Sequence, residues 1–70
     1  MAKKGDRVAV LLEDGTTLYG TYEGEEVPPE DDSKGWLYKL VVEAQHENPK
    51  IRLDDGRIVW GCECWWKVCE

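Results

Sequence analysis

Nine residues, Leu12-Glu13-Asp14-Gly15-Thr16-Thr17-Leu18-Tyr19-Gly20, return as Leu53-Asp54-Asp55-Gly56-Arg57-Ile58-Val59-Trp60-Gly61. The leucine, the Asp-Gly pair and the closing glycine are identical, and Glu/Asp, Leu/Val and Tyr/Trp match in kind. Both copies read as strand, tight turn, strand, because Asp-Gly between apolar runs places a residue without Cβ where positive φ is needed. Two such hairpins joined by an irregular middle point to an all-β fold, a small five-stranded antiparallel barrel.

The register of the first hairpin follows from its apolar positions. With Glu13-Asp14-Gly15 as a three-residue loop and Gly15 left-handed, Leu12 faces Thr16, Val10 faces Leu18 and Val8 faces Gly20. That register gathers Val8, Val10, Leu12, Leu18 and Tyr22 on one face, whereas a two-residue turn scatters them. Gly20 is placed to mark a strong bend at a barrel corner. Trp36 to Glu43 reads as the third strand, with Trp36, Tyr38, Leu40 and Val42 inward so that Lys39 and Glu43 reach water. Ala44 to Pro49 is a polar connector. Ile51-Arg52-Leu53 and Arg57 to Trp60 form the second hairpin around Asp54-Asp55-Gly56. A short 3₁₀ turn is expected near 62–65, and Trp66-Lys67-Val68 closes the sheet. Residues 1–5 read as a tail, and 6–70 as a single domain with an acidic loop at 23–35.

A 70-residue chain buries only roughly 60% of its unfolded surface, so its core is thin. Four Trp and three Tyr, with no Phe, supply much of the apolar area. The net charge is −6, and it is localised. Glu23, Glu25, Glu26, Glu30, Asp31 and Asp32 fall within ten residues that hold no base, which leaves nine acids against nine bases elsewhere. Such a segment repels phosphates and attracts cationic surfaces. No apolar run approaches a membrane span and no secretory leader is read at the start. Three cysteines, an odd number, argue against a disulfide framework and for a reducing, cytoplasmic setting.

The first hairpin, Val8-x-Val10-x-Leu12-x-Asp14-Gly15-x-x-x-x-Gly20, resembles the first Sm motif, and the strand pattern as a whole resembles SH3-like and Sm-like barrels. The Sm resemblance implies RNA binding in rings. After the glycine, however, that family carries an aspartate and then a base-holding asparagine, where this chain has Tyr22-Glu23-Gly24-Glu25-Glu26 and no Asn before Asn48. A nucleic-acid surface also requires Arg7, Lys39, Lys50, Arg52 and Arg57 to converge on one face.

Catalytic chemistry is sparse. The single histidine, His46, has no local serine or cysteine partner, and no glycine-rich phosphate loop is present. Cys62, Cys64 and Cys69 with His46 lack the Cys-x₂-Cys spacing of a zinc turn, so neither metal nor cofactor is expected. The aromatic residues outnumber what so small a barrel hides, and exposed Trp and Tyr concentrate at interfaces. The expectation is therefore a non-enzymatic β-barrel that binds a protein with a basic surface through Glu25, Glu26, Glu30, Asp31 and Asp32, with Tyr19, Trp36 and Trp65 as contact aromatics. Inhibition of a nucleic-acid-binding partner, in the manner of phage anti-defence proteins, fits that chemistry. The alternatives are an Sm-like module for RNA or a Tudor-like aromatic cage for a methylated Lys or Arg. An exposed edge strand also permits a dimer or ring.

Overall fold

A computed structural model describes residues 2–69. Five strands form one antiparallel sheet: β1 (Arg7–Leu11), β2 (Thr17–Glu26), β3 (Asn48–Leu53), β4 (Ile58–Trp60) and β5 (Trp65–Val68), with one helix, α1 (Trp36–Glu43), between β2 and β3. The spatial order is β4-β3-β2-β1-β5.

The two echoed turns adopt the same structure. In the first, Leu12 N–H donates to Thr16 O at 2.9 Å and Gly15 N–H to Leu12 O at 3.0 Å. In the second, Leu53 N–H donates to Arg57 O at 2.8 Å and Gly56 N–H to Leu53 O at 2.9 Å. Asp14 accepts the Thr16 N–H and Asp55 the Arg57 N–H, and Gly15 and Gly56 are left-handed at φ 88° and 93°. The three-residue loop sets the register Val8↔Gly20 and Val10↔Leu18. Val8, Val10 and Tyr22 accordingly fall in the core with Ile51 and Leu53, and Leu12, Leu18, Val59, Trp66 and Val68 pack around them. Tyr22 and Trp66 stack with centroids 5.6 Å apart.

Gly20 sits where β2 crosses β3. A Cβ there would lie 2.5 Å from Arg52 O, so only glycine lets these backbones approach. Further along β2, the register against β3 shifts between Tyr22 and Glu25, with Gly24 at φ 99°. This is a β-bulge whose extra residue is accommodated by a left-handed glycine.

The sheet curls strongly. Four flat inter-strand steps would separate β4 from β5 by ~19 Å. Yet only residues 61–64 connect them, and Glu63 N–H donates back to Trp60 O at 2.8 Å, which folds that connection into a tight turn. The β4 and β5 edges are not hydrogen-bonded to each other.

Several expectations are corrected. Trp36–Glu43 is α-helical, not a strand. β2 runs on to Glu26 and pairs Glu25 with Pro49 and Glu26 with Asn48, so β3 takes the place beside the end of β2 that a strand at 36–43 would need. A helix also turns Tyr38, Val41 and Val42 to one side, which a strand cannot do. Of the four residues expected inward, only Tyr38 is buried. The connector is shorter than Ala44–Pro49, since β3 starts at Asn48. The acidic loop is shorter too, because Glu23 to Glu26 belong to β2. Gly61 to Glu63 form a hydrogen-bonded turn rather than a 3₁₀ segment, Cys64 is a bend, and Trp65 already belongs to β5. Of the expected tail, Lys3 to Gly5 form a turn in which Gly5 N–H donates to Tyr22 O and Asp6 N–H to Lys3 O; Met1 lies outside the described residues.

Candidate apolar and acidic surface

Helix α1 is apolar on both sides. Tyr38, Val41 and Val42, spaced i, i+3, i+4, form the inner side, where Tyr38 is 4% exposed. Its hydroxyl donates to Pro29 O at 2.6 Å, and Lys34 Nζ lies 5.7 Å from its ring centroid. Trp36, Leu37 and Leu40 form the outer side and are 74%, 49% and 51% exposed. A helix apolar all round is ordinarily a buried one; this one covers a single side.

Its ends explain its short length. Gly35 at the N-cap offers no side-chain acceptor, and the first turn has no acid. At the other end His46 N–H donates to Val41 O and Gln45 N–H to Val42 O. With Gln45 left-handed at φ 58°, these bonds complete a Schellman stop.

The acidic segment divides into two groups. Glu23 pairs with Arg52 at 2.9 Å and Glu26 with Lys50 at 3.4 Å, while Glu25 accepts the Tyr22 hydroxyl. That bond, with burial, pushes Tyr22 up to about 12. These three acids are therefore engaged within the sheet. Glu30, Asp31 and Asp32 are not in the sheet. They line a cleft of about 400 Å³ with Tyr38, Lys39, Val42 and Glu43. Asp31 accepts the Ser33 hydroxyl at 2.6 Å and the Ser33 N–H at 3.0 Å, and these bonds hold its carboxyl below the usual aspartate value. The cleft is thus an anionic margin beside the helix.

The eight residues expected to bind protein are distributed over four places. Glu25 and Glu26 lie at the end of β2, and Glu30, Asp31 and Asp32 line the cleft. Trp36 opens the helix. Tyr19 and Trp65 lie on the outer sheet face, on β2 and β5 with β1 between them. There Leu11 pairs with Thr17 on one side and Trp65 on the other. Trp65 is 80% exposed, and Arg7 lies over the Tyr19 ring at 5.7 Å. Leu40 was missed because the period-two pattern turns it inward, whereas its i+4 spacing puts it beside Trp36 on a helix; Leu37 falls on the outward side of that pattern and carried no separate signal.

Four of the five cations named above are paired with acids. Arg7 holds Asp54 at 2.6 Å, Arg57 holds Asp55 at 2.7 Å, and Arg52 and Lys50 hold Glu23 and Glu26. One cleft does bring Tyr38 and Trp60 together with Glu26 and Asp31, the elements of an aromatic cage, but Lys34 already faces Tyr38. Lys34 also bridges to Glu63 at 2.6 Å, which joins the pre-helical turn to the β4–β5 turn.

Cys62 and Cys64 line a groove of about 640 Å³ with Leu11, Leu37 and Trp65. Burial, reinforced by Glu63 and Cys62, pushes the Cys64 thiol up to about 11, so at neutral pH it is a protonated, weakly nucleophilic group. Among the described residues, no three or more His, Cys, Asp or Glu side chains gather to hold a metal ion.

No family model, no curated protein and no solved structure matches this chain.

Proposed function

We propose that this chain is a non-enzymatic binding domain that docks a protein with a basic surface through the outer side of α1 and the adjoining acidic cleft. The observation that carries the proposal is the helix itself: Trp36, Leu37 and Leu40 are exposed together on a helix whose other side carries the buried Tyr38, bonded to Pro29 O. A partner pocket closing over the indole supplies contact energy, because large aromatics at the centre of an interface dominate binding. Glu30, Asp31 and Asp32 beside it supply orientation and association rate. We read the curled five-stranded sheet as a small barrel of the SH3-like kind, a fold that suits a binding role. Where the partner's basic surface binds nucleic acid, occupancy by this domain acts as inhibition. The neutralised Arg7, Lys50, Arg52 and Arg57 support a protein partner over a nucleic-acid one.

The test is capture from the native host by the wild-type chain and by Trp36→Ala/Leu40→Ala, followed by kinetics with the purified partner. The helix variant is expected to lose at least ~10-fold in affinity, equivalent to ~1.4 kcal/mol. Glu30→Gln/Asp32→Asn is expected to slow association, with a deficit that shrinks as salt rises. Glu25 and Glu26 are left intact because their neutralisation would disturb Tyr22 and Lys50. A partner bound with unchanged kinetics by both variants would place the interface elsewhere.

A further inference from the structure

β5 is an edge strand with one neighbour, β1. Its pairing shows which backbone groups are free. Cys69 N–H donates to Arg7 O at 2.8 Å, so Arg7 and Cys69 form a hydrogen-bonded pair. Alternation along the ladder then makes Ala9↔Lys67 and Leu11↔Trp65 hydrogen-bonded pairs as well. Trp65, Lys67 and Cys69 therefore direct their N–H and C=O groups toward β1, and Trp66 and Val68 direct theirs outward. Among the described residues, no backbone partner meets the outward amides of Trp66 and Val68. An edge of this kind is a template for another strand.

The side chains indicate which strand fits. On the outer face of β5 stand two residues, Trp65 and Lys67. Trp65 is the most exposed large apolar side chain among the described residues, at 80%. Two copies of β5 can pair antiparallel about a two-fold axis in two ways that use the outward groups within residues 64–69. With Lys67 at the axis, the two lysines oppose each other in a pair that is not hydrogen-bonded, where side chains come closest. With Trp66 at the axis, each Trp65 opposes the other copy's Lys67 in that same close geometry, an ammonium set against an indole face. The second register satisfies the Trp66 backbone groups reciprocally and makes the cation–π pair twice.

We infer that β5 is a self-association edge on which a second copy of this chain pairs antiparallel, with Trp66 at the two-fold axis and each Trp65 set against the other copy's Lys67. The interface is small. Four residues of edge and one indole per copy cover less than the ~800 Å² per partner of a standard interface, so the dimer is weak and concentration-dependent. Each chain carries a net charge of −6, so the dimer tightens as salt screens the mutual repulsion.

The experiment is sedimentation equilibrium of the full chain between about 10 μM and 1 mM, with circular dichroism confirming the fold of every variant. The wild-type chain is expected to shift from monomer to dimer over that range, at lower concentration in higher salt. Trp65→Lys opposes lysines twice and is expected to weaken association about tenfold or more. The double exchange Trp65→Lys/Lys67→Trp restores the opposed pair with its members interchanged and is expected to recover the dimer. A wild-type chain that stays monomeric throughout would overturn the inference. So would growth beyond dimer, which marks a head-to-tail contact with the β4 edge, or a folded double exchange that fails to recover.

Discussion

Gly20→Ala tests how closely β2 and β3 are held. The added Cβ would sit 2.5 Å from Arg52 O, 3.0 Å from Leu53 Cα and 3.1 Å from Arg52 C. All three are backbone atoms, so no rotamer change relieves the contact. Ordinary contact begins near 3.4 Å, so the strands must part by about 0.9 Å at this point. Overpacking of this kind costs ~1–3 kcal/mol, and stretching the adjacent Asp54 N–H to Tyr19 O bond (3.0 Å) adds up to ~1 kcal/mol. The expected loss is ~2–4 kcal/mol, against a total of ~4–10 kcal/mol for a chain of this size. Two further glycines calibrate the result. Gly24→Ala has open space but φ 99°, so it costs only the left-handed penalty of ~1–2 kcal/mol. Gly35→Ala has open space and φ −70°, so it costs only the exchange of a glycine for an alanine N-cap, ~0.5–1 kcal/mol. Urea unfolding followed by tryptophan fluorescence measures all three. A Gly20→Ala variant within ~0.5 kcal/mol of wild type, or one less harmful than Gly24→Ala, would refute the close crossing.

Gln45→Gly relieves the left-handed strain at the end of α1 and is expected to raise stability by ~0.5–1 kcal/mol in the same assay, less what the Gln45 side-chain bond to Val42 O contributes. A loss of stability would mean that the side-chain bond outweighs the backbone strain. Tyr22, held protonated by Glu25 and by burial, moves from 10.0 to about 12. The native state thus keeps this proton longer than the unfolded chain does. The associated stability is whole below pH 10 and is lost as pH rises from 10 through 12. Absorbance titration should show a late tyrosinate step that disappears in Tyr22→Phe; a wild-type titration complete by pH 11 contradicts the Tyr22–Glu25 bond.

The hairpins were legible because everything that sets them lies within a few residues. Asp14 reaches the Thr16 amide and Asp55 the Arg57 amide, and the left-handed glycine lies between them in sequence. Inward alternation along β1 then fixed the register without reference to the rest of the chain. Residues 36–43 were not legible for the opposite reason. Trp36, Tyr38, Leu40 and Val42 satisfy a period of two, while Tyr38, Val41 and Val42 satisfy a helical period, and local propensity cannot choose between them. The choice is made at long range, by β3 pairing with the extension of β2 and by the Tyr38 hydroxyl finding Pro29 O. The acidic run was read as one feature for a similar reason. Its division depends on Arg52 and Lys50, which arrive from β3, far along the chain.

The exposed aromatics belong to two surfaces, and this separation has a measurable consequence. Trp36 heads a helix whose outer side continues through Leu37 and Leu40. Trp65 stands on the outer face of an edge strand beside Leu11 and Lys67. The two sets share no residue, so a partner on the helix and a second copy on β5 should respond to different substitutions. Trp36→Ala/Leu40→Ala is expected to weaken partner binding at least ~10-fold and leave the dimer unchanged. Trp65→Lys is expected to do the reverse. Salt should separate them as well. Attraction between the acidic cleft and a basic partner weakens as salt rises, whereas association of two chains of charge −6 strengthens. Leu37 is the point of contact between the surfaces, since it lines the groove that Leu11 and Trp65 also border. Leu37→Ala is therefore the sensitive test of independence. If it shifts the dimer as strongly as it shifts partner binding, the helix and the β5 edge form one continuous interface, and the two equilibria must be described as competing for it.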